Sequence, residues 1–166
     1  MSKKYKITGV DLDFGIGQII PATQEAYQVD QFSGQTRKIE KESLGVFKHT
    51  INGYLDKKLA DSQQFPTSQE LFVFVIQYFA STREYQRRDI DNMAKTILDV
   101  LKQRCYYDDS QVKTLLVGKK IEKRVPQNFA YVAIKMLHTE DVDAMKISGL
   151  ERSVTMFQEL KSKGVL

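Results

Sequence analysis

The sequence predicts an α+β fold: a single domain with a mixed β-sheet packed by helices, plus a C-terminal helical extension. Three observations carry this. Residues 69–80, QELFVFVIQYFA, are apolar on both faces, which suits a central strand covered on both sides, or covered on one side and paired across an interface on the other. Beyond it, Ile90, Met93, Ala94, Ile97, Leu98 and Leu101 recur at helical spacing and define a face to be buried. Two strand-like runs follow, at 110–120 and 128–137, so that a helix and two strands succeed a central strand. A length of 166 residues, 42% of them hydrophobic, suits one domain with one core. The boundaries expected are 1–138 for the domain and 139–166 for a linker and final helix.

In chain order, residues 4–12 alternate weakly and predict a first strand. Ile16, Ile19 and Ile20 suggest a second, interrupted by Pro21. Residues 13–35 otherwise give no clear pattern. Residues 36–61 read as a long helix with an apolar stripe of Leu44, Phe47, Ile51, Tyr54, Leu55 and Leu59. Gly45 and Gly53 each weaken that helix by about 1 kcal/mol relative to alanine. Asp61 to Pro66 is a loop, and the central strand follows. A basic loop, STREYQRR, then leads to Asp89. In the 110–120 strand, Val112, Thr114 and Leu116 share one face, while Lys113, Leu115, Val117 and Lys119 share the other. Ser148 to Glu151 forms a capping box, and Leu150, Val154, Phe157 and Leu160 continue as a short amphipathic helix.

Composition excludes several classes. The single cysteine, Cys105, cannot form an internal disulfide and fits a reducing, cytoplasmic setting. His49 and His138 stand alone, without metal-ligand spacing. No apolar run approaches a membrane span, and the basic start MSKKYKITG lacks the apolar core of a signal peptide. The net charge of +4 is concentrated in residues 83–124, which hold eleven Lys/Arg and seven Asp/Glu. Such a segment fits a phosphate backbone and equally fits a solvated face.

That segment also carries the candidate chemistry. Asp89 is the expected N-cap of the 90–101 helix, and Asp91 lies in its first turn, where the helix dipole favours carboxylates. Lys95 follows Asp91 by four residues and shares its side of the helix. Asp108 and Asp109 open the next strand. Singly, these features read as caps, a solvated ion pair and a turn. Together, the acids can converge on one point, and an oxygen-rich, sulfur-free cluster suits a hard cation such as Mg²⁺. A metal beside a lysine suits attack on a phosphodiester. Arg87 and Arg88 immediately precede the acids, placed to hold backbone phosphates, and Arg83 lies nearby. Other acidic motifs fail. An EF-hand loop beginning at Asp89 would have Ala94 where glycine is needed and Val100 where glutamate is needed. Gly15-Ile-Gly17 lacks the third glycine of a dinucleotide turn. A glycosyltransferase-type Asp-x-Asp would leave Lys95 and Asp109 without a role.

The run R-D-I-D-N-M-A-K, followed by Y-Y-D-D-S-Q-V, resembles the RusA family of Holliday junction resolvases. Its pattern, D-x-D-N-x-x-K and then D-D-x-Q-[IV], is matched by Asp89, Asp91, Asn92, Lys95, Asp108, Asp109, Gln111 and Val112. Lys119, ten residues after Asp109, falls where that family tends to carry a basic residue. The resemblance covers roughly Leu71 to Leu137; the Pro-rich segment ending in Ser-x-Asn that members often carry nearer the start is not found. The resemblance implies a small homodimeric endonuclease, dependent on Mg²⁺ (or Mn²⁺), that cuts four-way DNA junctions in recombination and repair. It implies metal ligation by Asp89, Asp91 and Asp109, electrostatic catalysis by Lys95, and support of the ligands by Asp108. DNA contacts would come from Arg87, Arg88, Asn92, Lys113, Lys119 and Lys120. The competing reading is a non-catalytic nucleic-acid-binding module whose acids only cap helices.

Overall fold

The computed structural model describes residues 10–22, 26–29, 36–39, 42–123 and 126–137. Among the described residues, six strands and three helices run in the order β1 (Leu12–Ile16), β2 (Ala26–Val29), β3 (Thr36–Ile39), α1 (Glu42–Leu59), β4 (Leu71–Phe79), α2 (Thr82–Gln86), α3 (Ile90–Leu101), β5 (Val112–Ile121) and β6 (Phe129–Met136). A 3₁₀ turn, Asp109–Gln111, precedes β5. The main sheet has the order β1-β6-β4-β5, and β2 and β3 form a separate antiparallel pair. β4 pairs parallel with β5 and antiparallel with β6, so the sheet is mixed and the fold is α+β, as expected. A parallel pair needs a crossover, and α2 and α3 supply it. The 139–166 linker and helix lie outside the described residues.

β4 alternates as a central strand should. Leu71, Val73, Val75 and Phe79 are fully buried. α1 brings Leu44, Phe47, Ile51 and Leu55 to the core, and α3 brings Met93, Ile97, Val100 and Leu101. Burying each such side chain contributes about 1.5–3 kcal/mol. Gly45 and Gly53 of α1 have nothing near the place where a Cβ would project. The opposite sheet face carries half-buried aromatics, with Tyr78 stacked on Phe129 (centroids 4.6 Å apart) and Phe74 edge-on to Tyr131. Cys105 is wholly buried, and desolvation pushes its thiol up to about 12.

Several elements differ from the sequence expectation. The strand expected at 4–12 lies mostly outside the described residues; the first described strand is Leu12–Ile16, and residues 17–22 form no strand. Residues 36–39 pair with β2 instead of starting the helix, which begins at Glu42. The basic loop contains the short helix α2. Tyr54 and Ile90, assigned to apolar stripes, are 46% and 40% exposed. Thr96 and Val100 take buried places on α3 instead.

One buried polar residue explains the irregular 17–22 segment. Gln77 is fully buried on the core face of β4. Its amide oxygen accepts from Ile20 N–H (2.9 Å), and its NH₂ group donates to the carbonyl oxygens of Phe129 (2.9 Å) and Gln18 (3.4 Å). The Thr96 hydroxyl donates to Pro21 O at 2.8 Å. The segment is thus tied to β4 and α3 by side chains in place of a strand ladder. Gln77→Leu should lower stability by about 1–3 kcal/mol, because it leaves Ile20 N–H buried and unsatisfied. A urea titration measures the loss, and hydrogen exchange at the Ile20 amide should speed up more than at mid-β4 amides.

Candidate active site

Asp89 occupies the N-cap position of α3 with extended backbone, yet its side chain makes no capping hydrogen bond. Its carboxylate is exposed and not consumed by the helix end. Asp91 sits in the first turn, also exposed. Both line one cavity of about 790 Å³ with Ile90, Ala94, Leu115, Leu116, Val117 and Lys119. Its floor is therefore apolar, and its polar groups are two carboxylates and one ammonium. Lys95 is exposed one helical turn beyond Asp91, and Asn92 is half-buried.

Lys119 reaches this site from β5. Its ammonium donates to the carbonyl oxygens of Arg88 (2.7 Å) and Tyr85 (3.0 Å) and lies 4.4 Å from the Tyr85 ring centroid. It therefore clamps the α2–α3 connection, and so positions Asp89, with donors that a phosphate would otherwise use. Arg88 is half-buried, its guanidinium 3.7 Å from Glu84, whereas Arg87 is exposed. Lys113 pairs with Glu70 at 3.4 Å and Lys120 with Glu122 at 3.8 Å.

Asp109 stands apart from the acid pair. Its carboxylate accepts from Lys102 Nζ at 3.1 Å and lies 3.3 Å from the Tyr106 hydroxyl, which donates to Leu98 O at 3.0 Å. Leu98 is about two turns beyond Asp91, roughly 10 Å along the helix axis. Asp109 thus belongs to the C-terminal end of α3. Among the described residues, no group of three or more His, Cys, Asp or Glu side chains is close enough to hold a metal ion. The structure brings Asp89 and Asp91 together and leaves Asp109 out of their pocket.

Asp108 caps the 3₁₀ turn. It accepts from Ser110 N–H at 2.9 Å, and Gln111 Oε1 accepts from the backbone N–H of Asp108 and Tyr107, closing a capping box. The Gln111 NH₂ donates to Thr67 O and Gln69 O, tying the turn to the start of β4. The backbone N–H of Ser110 holds the Asp108 carboxyl below its usual value. The Asp109 carboxylate, and Asp108 at 3.7 Å, hold the Lys102 ammonium above its own. Burial, with Asp109 beside it, pushes the Tyr106 phenol up. Lys102 and Tyr106, which fix Asp109, were not singled out in the sequence. Lys102 is seven residues from its partner, and only the turn after α3 brings the two together.

The fold and these side chains define a class: a small α+β protein with a carboxylate pair at the head of a crossover helix, inside the most basic part of its chain. Residues 18–135 match the family model for endodeoxyribonuclease RusA. The chain belongs to the RusA family of Holliday junction resolvases, nucleases that act on DNA junctions. The match begins well ahead of the signature residues and takes in residues 18–22 and α1. No curated protein matches the chain.

Lys119→Met should cost about 1.5–3 kcal/mol, the usual worth of hydrogen bonds from a charged donor. Thermal unfolding measures that loss. Proteolysis should then cut first between Ser81 and Arg88, the segment the clamp releases.

Proposed function

We propose that this protein is a divalent-metal-dependent endonuclease that resolves four-way DNA junctions by paired phosphodiester hydrolysis in recombination and repair. The observation that carries the reading is the shared cavity of Asp89 and Asp91, with no capping bond made by the Asp89 carboxylate, in a chain of the RusA family. The absence of a capping bond at Asp89 also counts against a binding module whose acids only close helix ends.

The donor set fits Mg²⁺, which is usually held by one or two carboxylates together with substrate phosphates. Asp89 and Asp91 would hold it. When bound, the ion would polarise the phosphodiester and lower the pKa of the attacking water. The chain's own groups do the rest. Lys95 offsets charge developing on the phosphate. Arg87, exposed just ahead of the acids, and Lys120 steer the backbone. Lys119 keeps the loop that carries Asp89 in place.

Asp109 enters through a second copy. α3 separates its two ends within one chain, but a two-fold axis reverses the direction of each element in the partner. Among the described residues β5 is an edge strand, with Leu115 37% exposed and Ile90 exposed in the same cavity. Antiparallel association along that edge carries the Asp109 end of one copy toward the Asp89/Asp91 end of the other. A homodimer then has two equivalent sites, as two symmetric cuts require.

Asp91→Asn should lower cleavage of a synthetic four-way junction more than about 100-fold, since loss of even an outer partner of a metal ligand costs 10–100-fold. Junction binding by gel shift should stay within a few-fold of wild type. Cleavage at the wild-type rate would overturn the catalytic assignment. Mixing tests the shared site. Asp91→Asn and Asp109→Asn should each be inactive alone, yet co-refolded they should recover nicking of one strand per junction, because one site of each mixed dimer keeps all its acids. No recovery would rule out a contribution of Asp109 across the dimer.

A further inference from the structure

A second cavity, of about 480 Å³, is lined by Arg88, the chain neighbour of Asp89; Gln18, Ile19, Pro21, Gln127 and Asn128 are among its other lining residues. Its size falls within the range of about 300–1,000 Å³ typical of small-molecule pockets. It is also a held structure. Gln77 fixes Gln18 and Ile20 from beneath, and the Thr96–Pro21 bond fixes the segment to α3. The Asn128 side-chain oxygen accepts from Ala80 N–H at 2.8 Å, which leaves its NH₂ end as the donor available to a ligand. Arg88 Nε is buried and, among the described residues, has no hydrogen-bond partner.

We infer that this cavity receives an unpaired nucleobase from the nucleotide flanking the scissile phosphate, and that Gln18, Gln127, Asn128 and Arg88 read its edge. The inference rests on the nuclease reading above. Two features favour a base over a phosphate. Ile19 and Pro21, both half-buried, give apolar surface for a flat ring. Three of the polar groups are neutral amides, Gln18 and Gln127 carrying a donor and an acceptor and Asn128 offering its donor, and Arg88 is already close to Glu84. Amides and a guanidinium are the groups that distinguish base edges, and bases that have left a stack are recognised along those edges. Position supplies the rest. Arg88 lines this cavity and its chain neighbour Asp89 lines the acid cavity, so a strand lying on the acids has its adjacent base at this opening.

The test uses the full-length protein and four-way junctions that differ only at the nucleotides flanking the cut, each varied in turn through the four bases and an abasic site. In single-turnover cleavage with Mg²⁺, wild type should favour one base by about tenfold over the poorest, with the abasic site among the slow ones. Gln127→Ala should shrink that ratio to about twofold. Equal rates at all bases in wild type would overturn the pocket and leave the nuclease reading intact. An equal loss at every base in Gln127→Ala would make the cavity a backbone site and also overturn it. Should wild type cleave no junction, the nuclease reading fails, and base entry is read separately. 2-Aminopurine at the same position should brighten when wild type binds and stay dim with the Gln18→Ala/Gln127→Ala double variant. No brightening with wild type would sink the pocket by that route too.

Discussion

The parallel pairing of β4 with β5 is the constraint on which the rest of the molecule depends. Two neighbouring strands that run the same way cannot be joined by a tight turn, so the chain must travel back across the sheet. Here α3 makes that journey, packed through Met93, Ile97, Val100 and Leu101. The return fixes the polarity of everything functional. The helix start, with its two aspartates, lies at the end where β4 and β5 finish. The helix end, with Lys102 and the Asp109 turn, lies where β5 begins. Lys119, late in β5, is thereby brought under the α2–α3 connection, and its bond to Arg88 O locks the acid-bearing loop to the sheet.

The local parts of this design were legible in the sequence. The α3 stripe, the N-cap position of Asp89, the two-sided apolarity of β4 and the strands β5 and β6 all follow from spacing over a few residues. The Asp-x-Asp-Asn and Asp-Asp-x-Gln runs identified the family before any fold was in hand. The distance between those two runs was not legible. Both lie within twenty-odd residues, yet the rigid helix between them holds them apart, and sequence proximity gave the opposite impression. The role of Gln111 was also hidden: two of its partners, Thr67 and Gln69, stand more than forty residues away.

The N-terminal part was hard to read for a different physical reason. Residues 17–22 have no periodicity because no ladder defines them. Their conformation is written in Gln77, a residue 57 positions away from the amide it satisfies. Residues 36–39 looked helical because a strand that, among the described residues, pairs with β2 alone need not alternate apolar and polar residues. α2, at five residues, is too short for a stripe and has no side-chain cap to announce it.

Cys105 sits at the turn between α3 and β5, sealed from solvent, with its thiol held protonated far above neutrality. Electrophiles and oxidants that need a thiolate therefore reach this sulfur only when the turn opens. The same seclusion makes this sulfur a built-in clock: its labelling rate counts how often that turn comes open.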